Sequence, residues 1–230
     1  DLWEYDPTAD TWTQKADYTG GKRTAAVAFV IQDIAFVGLG ADETSTDKKD
    51  FWQYKPSTNT WSQLTNFAGT TSFADQFAFS VGGKGYVAKK NSTNLWEFSL
   101  GVWTQKNALP ASNLNQPFVI NDVAYVMSDD KKLWKYNANA DTWTALQNVP
   151  GTIFNKGVEI NGKAYFGGTI SNDYVVWEYD PSTDTWAKKR GLLGLVSSPW
   201  YTEEFVINNK IYFREGNLSR KSFWEFDPTK

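Results

Sequence analysis

The sequence predicts an all-β chain built from repeated four-stranded antiparallel units, and three observations carry that reading. First, one frame recurs along its 230 residues. Residues 177–186 read WEYDPSTDTW, 3–12 read WEYDPTADTW, 52–61 read WQYKPSTNTW and 134–143 read WKYNANADTW, with a shortened copy at 96–103 (WEFSLGVW) and a cut-off one at 224–228 (WEFDP). Second, an apolar hairpin precedes each later copy. Third, no segment of twelve or more residues keeps a helical period, so no helix is expected.

Each Trp frame reads as two strands around a polar turn. Asp6-Pro7 and Asp180-Pro181 should hold that turn through side-chain to backbone hydrogen bonds and a preset φ. The apolar hairpins read TAAVAFVI–QD–IAFVGLG, FAFSV–GG–KGYVA, PFVI–ND–VAYVM, GVEI–NG–KAYFGG and EFVI–NN–KIYFREG. Their flanks are Val, Ile, Phe and Tyr, as strands prefer, and pairs such as Gly82-Gly83, Asn161-Gly162 and Asn208-Asn209 accept the positive φ of a two-residue turn.

The first Trp of successive frames is separated by 49, 44, 38, 43 and 47 residues. Four strands per unit of that length is the signature of propeller blades. Five apolar hairpins give five blades, six being the alternative. Residues 11–15 are expected to close the ring by completing the last blade, which leaves no open edge. The conflict is that Trp3 and Trp224 both claim the third-strand position of that blade. Length varies in two connections only, residues 41–49 against 128–132, and 191–201. Both sets emerge on one face, where a grafted site is expected. The whole chain, 1–230, reads as a single domain. Beginning with Asp rather than Met, it also reads as a processed product or a piece of a longer protein.

Paired glycines (Gly167-Gly168, more loosely Gly38-Leu39-Gly40) with a preceding aromatic and two Trp about nine residues apart resemble the kelch repeat. The WEYDPxxDTW form is similar to kelch proteins of the galactose-oxidase-like kind. That resemblance covers essentially the whole chain and implies a kelch-type β-propeller. It departs at Lys89-Lys90, Ser128-Asp129 and Arg214-Glu215, where the glycine pair is replaced by side chains on the loop face. The copper chemistry of galactose oxidase needs His and a Tyr cross-linked to Cys, and this chain has neither His nor Cys. Sialic-acid mutarotases are a second kelch-type group; their chemistry stays open, although no motif matches such a site residue by residue.

Composition limits function further. The absence of His and Cys removes the commonest transition-metal ligands, the usual neutral-pH base and a thiol nucleophile, and no cofactor is expected. A net charge of −3 without a like-charge run gives no footprint for nucleic acid. No apolar run is long enough to span a membrane. The compartment stays open, a secreted or cell-envelope setting being favoured. Eleven of the 12 Trp occupy the two frame positions, Trp200 being the exception. They are expected in the core, each burying roughly 150–250 Å².

Aligning the apolar hairpins on their turns brings Arg23, Phe73, Ser112, Thr152 and Pro199 into one column. Two places on stand Ala25, Asp75, Leu114, Phe154 and Tyr201, followed by Gln76, Asn115, Asn155 and Thr202. Polar groups opening otherwise apolar strands would ring the channel mouth. The candidate ligand-binding set is therefore Arg23, Asp75, Gln76, Lys89, Asn115, Asn155, Trp200, Tyr201, Glu203, Arg214 and Glu215, suited to a carbohydrate or a peptide carboxylate. The expected function is a non-catalytic binding or scaffolding module for a protein or glycan partner. Alternatives are a sugar-active enzyme using Arg23, Asp75 and Glu203 or Glu204, and a structural domain of a larger surface protein. Glu4, Glu97, Glu178 and Glu225, each following a Trp, are expected on a solvated strand face. Asp129-Asp130 with Lys131-Lys132 reads as an exposed turn. Asn91-Ser92-Thr93 and Asn217-Leu218-Ser219 match the N-glycosylation pattern.

Overall fold

The computed structural model describes residues 1–6, 8–72, 75–153, 157–170, 173–191, 203–214 and 223–229. The chain divides into two compact units, Asp1–Ser112 and Asn113–Lys230.

In the first unit, β1 (Trp3–Asp6) and β2 (Thr11–Gln14) form a two-stranded sheet. β3 (Val27–Ile31), β4 (Ile34–Gly38), β5 (Phe51–Lys55) and β6 (Thr60–Gln63) form a four-stranded meander in that order. β7 (Gln76–Val81), β8 (Lys84–Lys89), β9 (Leu95–Ser99) and β10 (Val102–Gln105) form another. In the second unit, β11 (Leu114–Ile120), β12 (Val123–Ser128), β13 (Leu133–Asn137) and β14 (Thr142–Ala145) repeat the plan. The next blade splits its inner strand into β15 (Thr152–Ile153) and β16 (Val158–Ile160), both paired to β17 (Lys163–Ile170), and continues through β18 (Asp173–Asp180) and β19 (Thr185–Gly191). β20 (Glu203–Ile207), β21 (Lys210–Arg214) and β22 (Phe223–Phe226) make a three-stranded sheet. Beside these strands, the one helical element among the described residues is a 3₁₀ turn at Pro56–Thr58.

The turns follow their chemistry. Both central residues have positive φ at Gln32-Asp33 (48° and 62°), Gly82-Gly83, Asn121-Asp122, Asn161-Gly162 and Asn208-Asn209, the type I′ geometry that matches strand twist. Asp6 Oδ1 accepts the backbone N–H groups of Thr8 and Ala9, and Asp180 Oδ1 that of Ser182, as expected of these turns.

In two frames the residue before the Thr-Trp pair has a further task. Asn59, at φ 52°, accepts from Tyr54 Oη at 2.9 Å and from the Ala16 N–H at 2.7 Å, while Trp61 Nε1 donates to the Ala16 carbonyl. Asp184 and Trp186 treat Tyr179 and both backbone groups of Gln147 in the same way. The xTW tripeptide is thus a clasp on the tail of the preceding sheet. Apolar packing does the rest. Phe29, Phe36, Phe51, Phe98 and Trp103 share one cluster in the first unit. Phe118, Tyr125, Phe166, Trp177 and Tyr179 share one in the second. A Cβ at Gly85 would sit 2.1 Å from the Phe29 ring, so a glycine there permits the close approach of β8 to β3.

Three expectations need correction. Among the described residues the 11–15 strand is not a lone fourth strand: β2 pairs with β1 in a two-stranded sheet, because the short turn brings β1 to it at little loop-closure cost. The frame Trp are not uniformly core. Trp177 and Trp103 are buried, Trp52, Trp61, Trp96, Trp134, Trp143 and Trp186 are half-buried, and Trp3 and Trp12 are exposed. Lastly, Glu97 and Glu178 do not face solvent; they are 7% and 6% exposed. Each accepts a hydrogen bond from a tyrosine on the next strand, Tyr86 or Tyr165, and an ion pair from Lys84 or Lys163. Strand alternation does select a face, but here that face is covered and the charge is paired within it.

Candidate functional site

Arg23 precedes β3 and does not project freely. Its Nη2 donates to Asp50 Oδ2 at 2.5 Å and to the Gly20 carbonyl at 2.6 Å, and its Nη1 to the Leu39 carbonyl at 3.2 Å. The guanidinium also lies 5.9 Å from the centre of the Tyr18 ring. Side-chain exposure is 7% for Arg23 and 18% for Asp50. Burial pushes the Asp50 carboxyl up, but Arg23 and the Trp52 indole N–H outweigh it, so the group stays below the usual carboxylate range. Burial, opposed by Arg23 and aided by the Asp50 charge, lifts the Tyr18 phenol to about 12. Arg23 therefore ties three loop segments together at the wall of an open cleft of about 700 Å³, whose other walls include Tyr18, Lys22 and Trp61.

Asp75, Gln76 and Lys89 do come together. Gln76 pairs with Lys89 across β7 and β8, and the Lys90 N–H donates to the Asp75 carbonyl. Both amide atoms of Gln76 are buried without a protein partner. They line a pocket of about 10 Å³ with Thr70, Ser92 and Asn94, room for a single water rather than a ligand.

Asn115 occupies a better-formed recess in the second unit. Pro117 cannot donate to the strand ladder, and the pairing of β11 with β12 slips between Asn115 and Pro117, with Gln116 at φ 46°. This bulge turns Asn115 toward the connection after β12, where its amide donates to Asp129 Oδ1. Next to it, Asp130 accepts from Ser128 Oγ at 2.5 Å and Asn113 Nδ2 at 3.0 Å, and pairs with Lys132. Those bonds, Ser128 first, hold its carboxyl well below the usual range. The expected simple turn is a built one: the Lys131 carbonyl accepts the Val149 N–H and its own N–H donates to Ser128. Between this turn and β15 lies a cleft of about 250 Å³, with Met127, Val149 and Ile153 as apolar lining and Asn115, Gln116, Asp129, Lys131 and Thr152 as polar lining.

Glu203 and Arg214 are opposite one another in the β20–β21 register. Asn155, Trp200, Tyr201 and Glu215 lie outside the described residues. Sequence reasoning missed Asp50, Lys131 and Thr152 as site-forming positions. Thr152 stands in the aligned column with no charge to single it out; nothing local in the sequence ties Asp50 to Arg23.

Among the described residues, every resolved carboxyl shift is downward: Asp42, Asp50, Glu97, Asp130, Glu178, Asp180 and Glu225 all sit below their ordinary values. None is poised as a neutral-pH proton donor.

No protein-family profile matches the sequence, and no curated protein sequence matches it. Solved structures do match. The structure of YjhT aligns with a TM-score of 0.64 at 15% identity, over 84% of this chain and 72% of that one. This likeness shows the fold: an all-β propeller of five antiparallel blades, most of them four-stranded.

Proposed function

We propose that this kelch-like propeller is a non-catalytic recognition module that takes a protein or glycan on its variable-loop face. The observation that carries this reading is the cleft between the 128–132 turn and β15. It combines an apolar floor with an amide pair, a carboxylate, a hydroxyl and the Lys131 ammonium, and it is open rather than enclosed. Such a surface matches the alternating hydroxyl and apolar faces of a sugar, or the amides of an extended peptide. Recognition is favoured over catalysis because the carboxyl groups perturbed by their surroundings all lie below their ordinary values among the described residues, and because Arg23 is already held by Asp50. Membership of the kelch family is part of the same proposal and rests on the repeat frame.

A glycan array and a peptide-library screen on the 230-residue protein test this. The expected result is a retained ligand whose binding falls about tenfold or more in Lys131→Ala and Thr152→Ala, consistent with losing one polar contact each, while both variants melt like the parent. Retention unaffected by both substitutions, or catalytic turnover of the retained sugar, overturns it.

A further inference from the structure

The first hairpin presents an incomplete version of the Tyr–Glu–Lys cluster, and the missing parts specify what completes it. In the blades containing Glu97 and Glu178, the carboxylate has three kinds of partner. One is a lysine three residues after the frame's second Trp, Lys106 or Lys189. The others, on the second strand, are a tyrosine (Tyr86 or Tyr165) and a lysine two residues before it (Lys84 or Lys163). Tyr212, Lys210 and Glu225 repeat the second-strand half. Glu4 stands at the same position, one place after Trp3, and pairs at 2.8 Å with Lys15, the counterpart of Lys106 and Lys189. The fourth-strand half is therefore present and the second-strand half is not.

Three further observations agree. β1 pairs with β2 alone among the described residues, so its other edge offers unpaired backbone groups. Trp3, Tyr5 and Trp12 are 49%, 38% and 64% exposed, against 4% and 1% for Trp177 and Tyr179. The hairpin is also preformed: Tyr5 packs on Trp12 at 4.9 Å and donates to Asp10, as Tyr179 packs on Trp186 at 4.9 Å and donates to Asp184.

The other blades give the complementary sequence. Opposite the tyrosine of the Trp frame stands an alanine: Ala35 faces Tyr54, Ala124 faces Tyr136 and Ala164 faces Tyr179. Opposite the Trp stands Val37, Val87, Val126 or Phe166. Opposite the glutamate stands the tyrosine that donates to it. We infer that the β1 edge is a docking site for an incoming strand that runs antiparallel to it and reads Lys-Ala-Tyr-(Val/Phe). Alanine would lie opposite Tyr5, tyrosine opposite Glu4 and the apolar residue opposite Trp3, with the lysine reaching the Glu4 carboxylate. This is recognition by strand addition, with main-chain bonds supplying affinity and the side-chain order supplying choice. It does not depend on the reading of the loop-face cleft.

The test uses the 230-residue protein and a fluorescently labelled peptide of residues 157–170, which carries Lys-Ala-Tyr-Phe. Titration by anisotropy should saturate, and hydrogen exchange should slow at the amides of β1. Glu4→Gln in the protein, or the Tyr165→Phe change in the peptide, should each weaken binding about tenfold or more, the size expected for a hydrogen bond to a charged group. Glu4 is exposed, so the variant keeps its fold, which a melt checks. Equal affinity of the Glu4→Gln protein, protection elsewhere than β1, or no saturation overturns the inference. So does light scattering that shows the protein alone pairing through protected β1 edges, which would make a second copy the occupant.

Discussion

Tyr165 donates its hydroxyl hydrogen to Glu178 Oε2 at 2.9 Å, and Lys163, two residues earlier on the same strand, reaches Glu178 Oε1 at 2.8 Å. With Lys189 at 2.8 Å from Oε2, a carboxylate only 6% exposed is neutralised in place. Burial pushes the Glu178 carboxyl up, but the bonds from Lys163, Lys189 and Tyr165 outweigh it and leave the group below its ordinary 4.5. Burial and the nearby carboxylate together lift the Tyr165 phenol far above its usual range.

Stability should depend on this cluster at both ends of the bond. Tyr165→Phe removes one hydrogen bond to a charged acceptor and should cost about 1.5–3 kcal/mol. Glu178→Gln should cost about 2–3 kcal/mol, less than the roughly 3–5 of a fully buried pair because its lysines are partly hydrated. Denaturant unfolding measures both.

The pH dependence has a definite sign. Glu178 binds its proton less readily folded than unfolded, so its contribution is complete above its ordinary 4.5 and is withdrawn as pH falls through the lower native value. Glu97 is shifted the same way, its burial outweighed by Lys84 and Tyr86. The melting temperature should therefore fall below pH 4.5, and Glu178→Gln should make that acid slope shallower while leaving the neutral-to-alkaline limb unchanged. A slope identical to the parent's would mean that Glu178 does not titrate with folding.

The blade plan was legible because it rests on local chemistry. The two-residue turns, the Trp frame and the Asp turns each act within a few residues, and the Gln32-Asp33 turn adopts its geometry even without glycine or asparagine. Glu178 was misread because alternation reports which face a side chain takes, not what packs on that face. Its partners were visible only as a joint pattern. Lys, Tyr and Glu occur together in the units of Glu97, Glu178 and Glu225, and Ile34, Phe36 and Gln53 replace all three at once. The Arg23–Asp50 pair was hidden for another reason: the two are 27 residues apart and share no repeat position. The Asn115 cleft depends on a bulge that Pro117 creates, and on a turn held jointly by the Ser128 and Asp130 side chains and the Lys131 backbone.

Asp184 gives a separable test of the clasp. It accepts from Tyr179 Oη and from the Gln147 N–H, at φ 51°. Asp184→Ala should cost about 2–3 kcal/mol, near 1 for each lost bond plus the left-handed strain of alanine. Asp184→Asn should cost under about 1 kcal/mol, since the first unit uses Asn59 in the same role and asparagine tolerates that backbone. Asp184→Gly should fall between them, losing the bonds but not the conformation. Equal losses for Ala and Asn would show that the side-chain acceptor contributes nothing.

The same letter in the frame should carry different energies. Trp177→Ala removes a buried ring and should cost about 3–5 kcal/mol. Trp12→Ala, at an exposed position, should stay within about 0.5 kcal/mol. Trp143, half-buried on Tyr136 at 4.6 Å, should cost about 1–3 kcal/mol, in proportion to the area it hides. Chemical melts of the three variants check the order.

Arg23 decides how much of the expected site is structural. As a ligand contact, Arg23→Ala should leave stability alone; as placed, it removes the counter-ion of Asp50 and the donor to Gly20 and Leu39. A loss of about 3–5 kcal/mol is expected, with a similar loss for Asp50→Ala, because each leaves a poorly hydrated charge unpaired. The double variant should lose clearly less than the sum, since the second substitution removes the charge that the first had stranded. Additive losses would show that the two side chains act independently. Lost ligand binding at unchanged stability in Arg23→Ala would return the arginine to the binding surface.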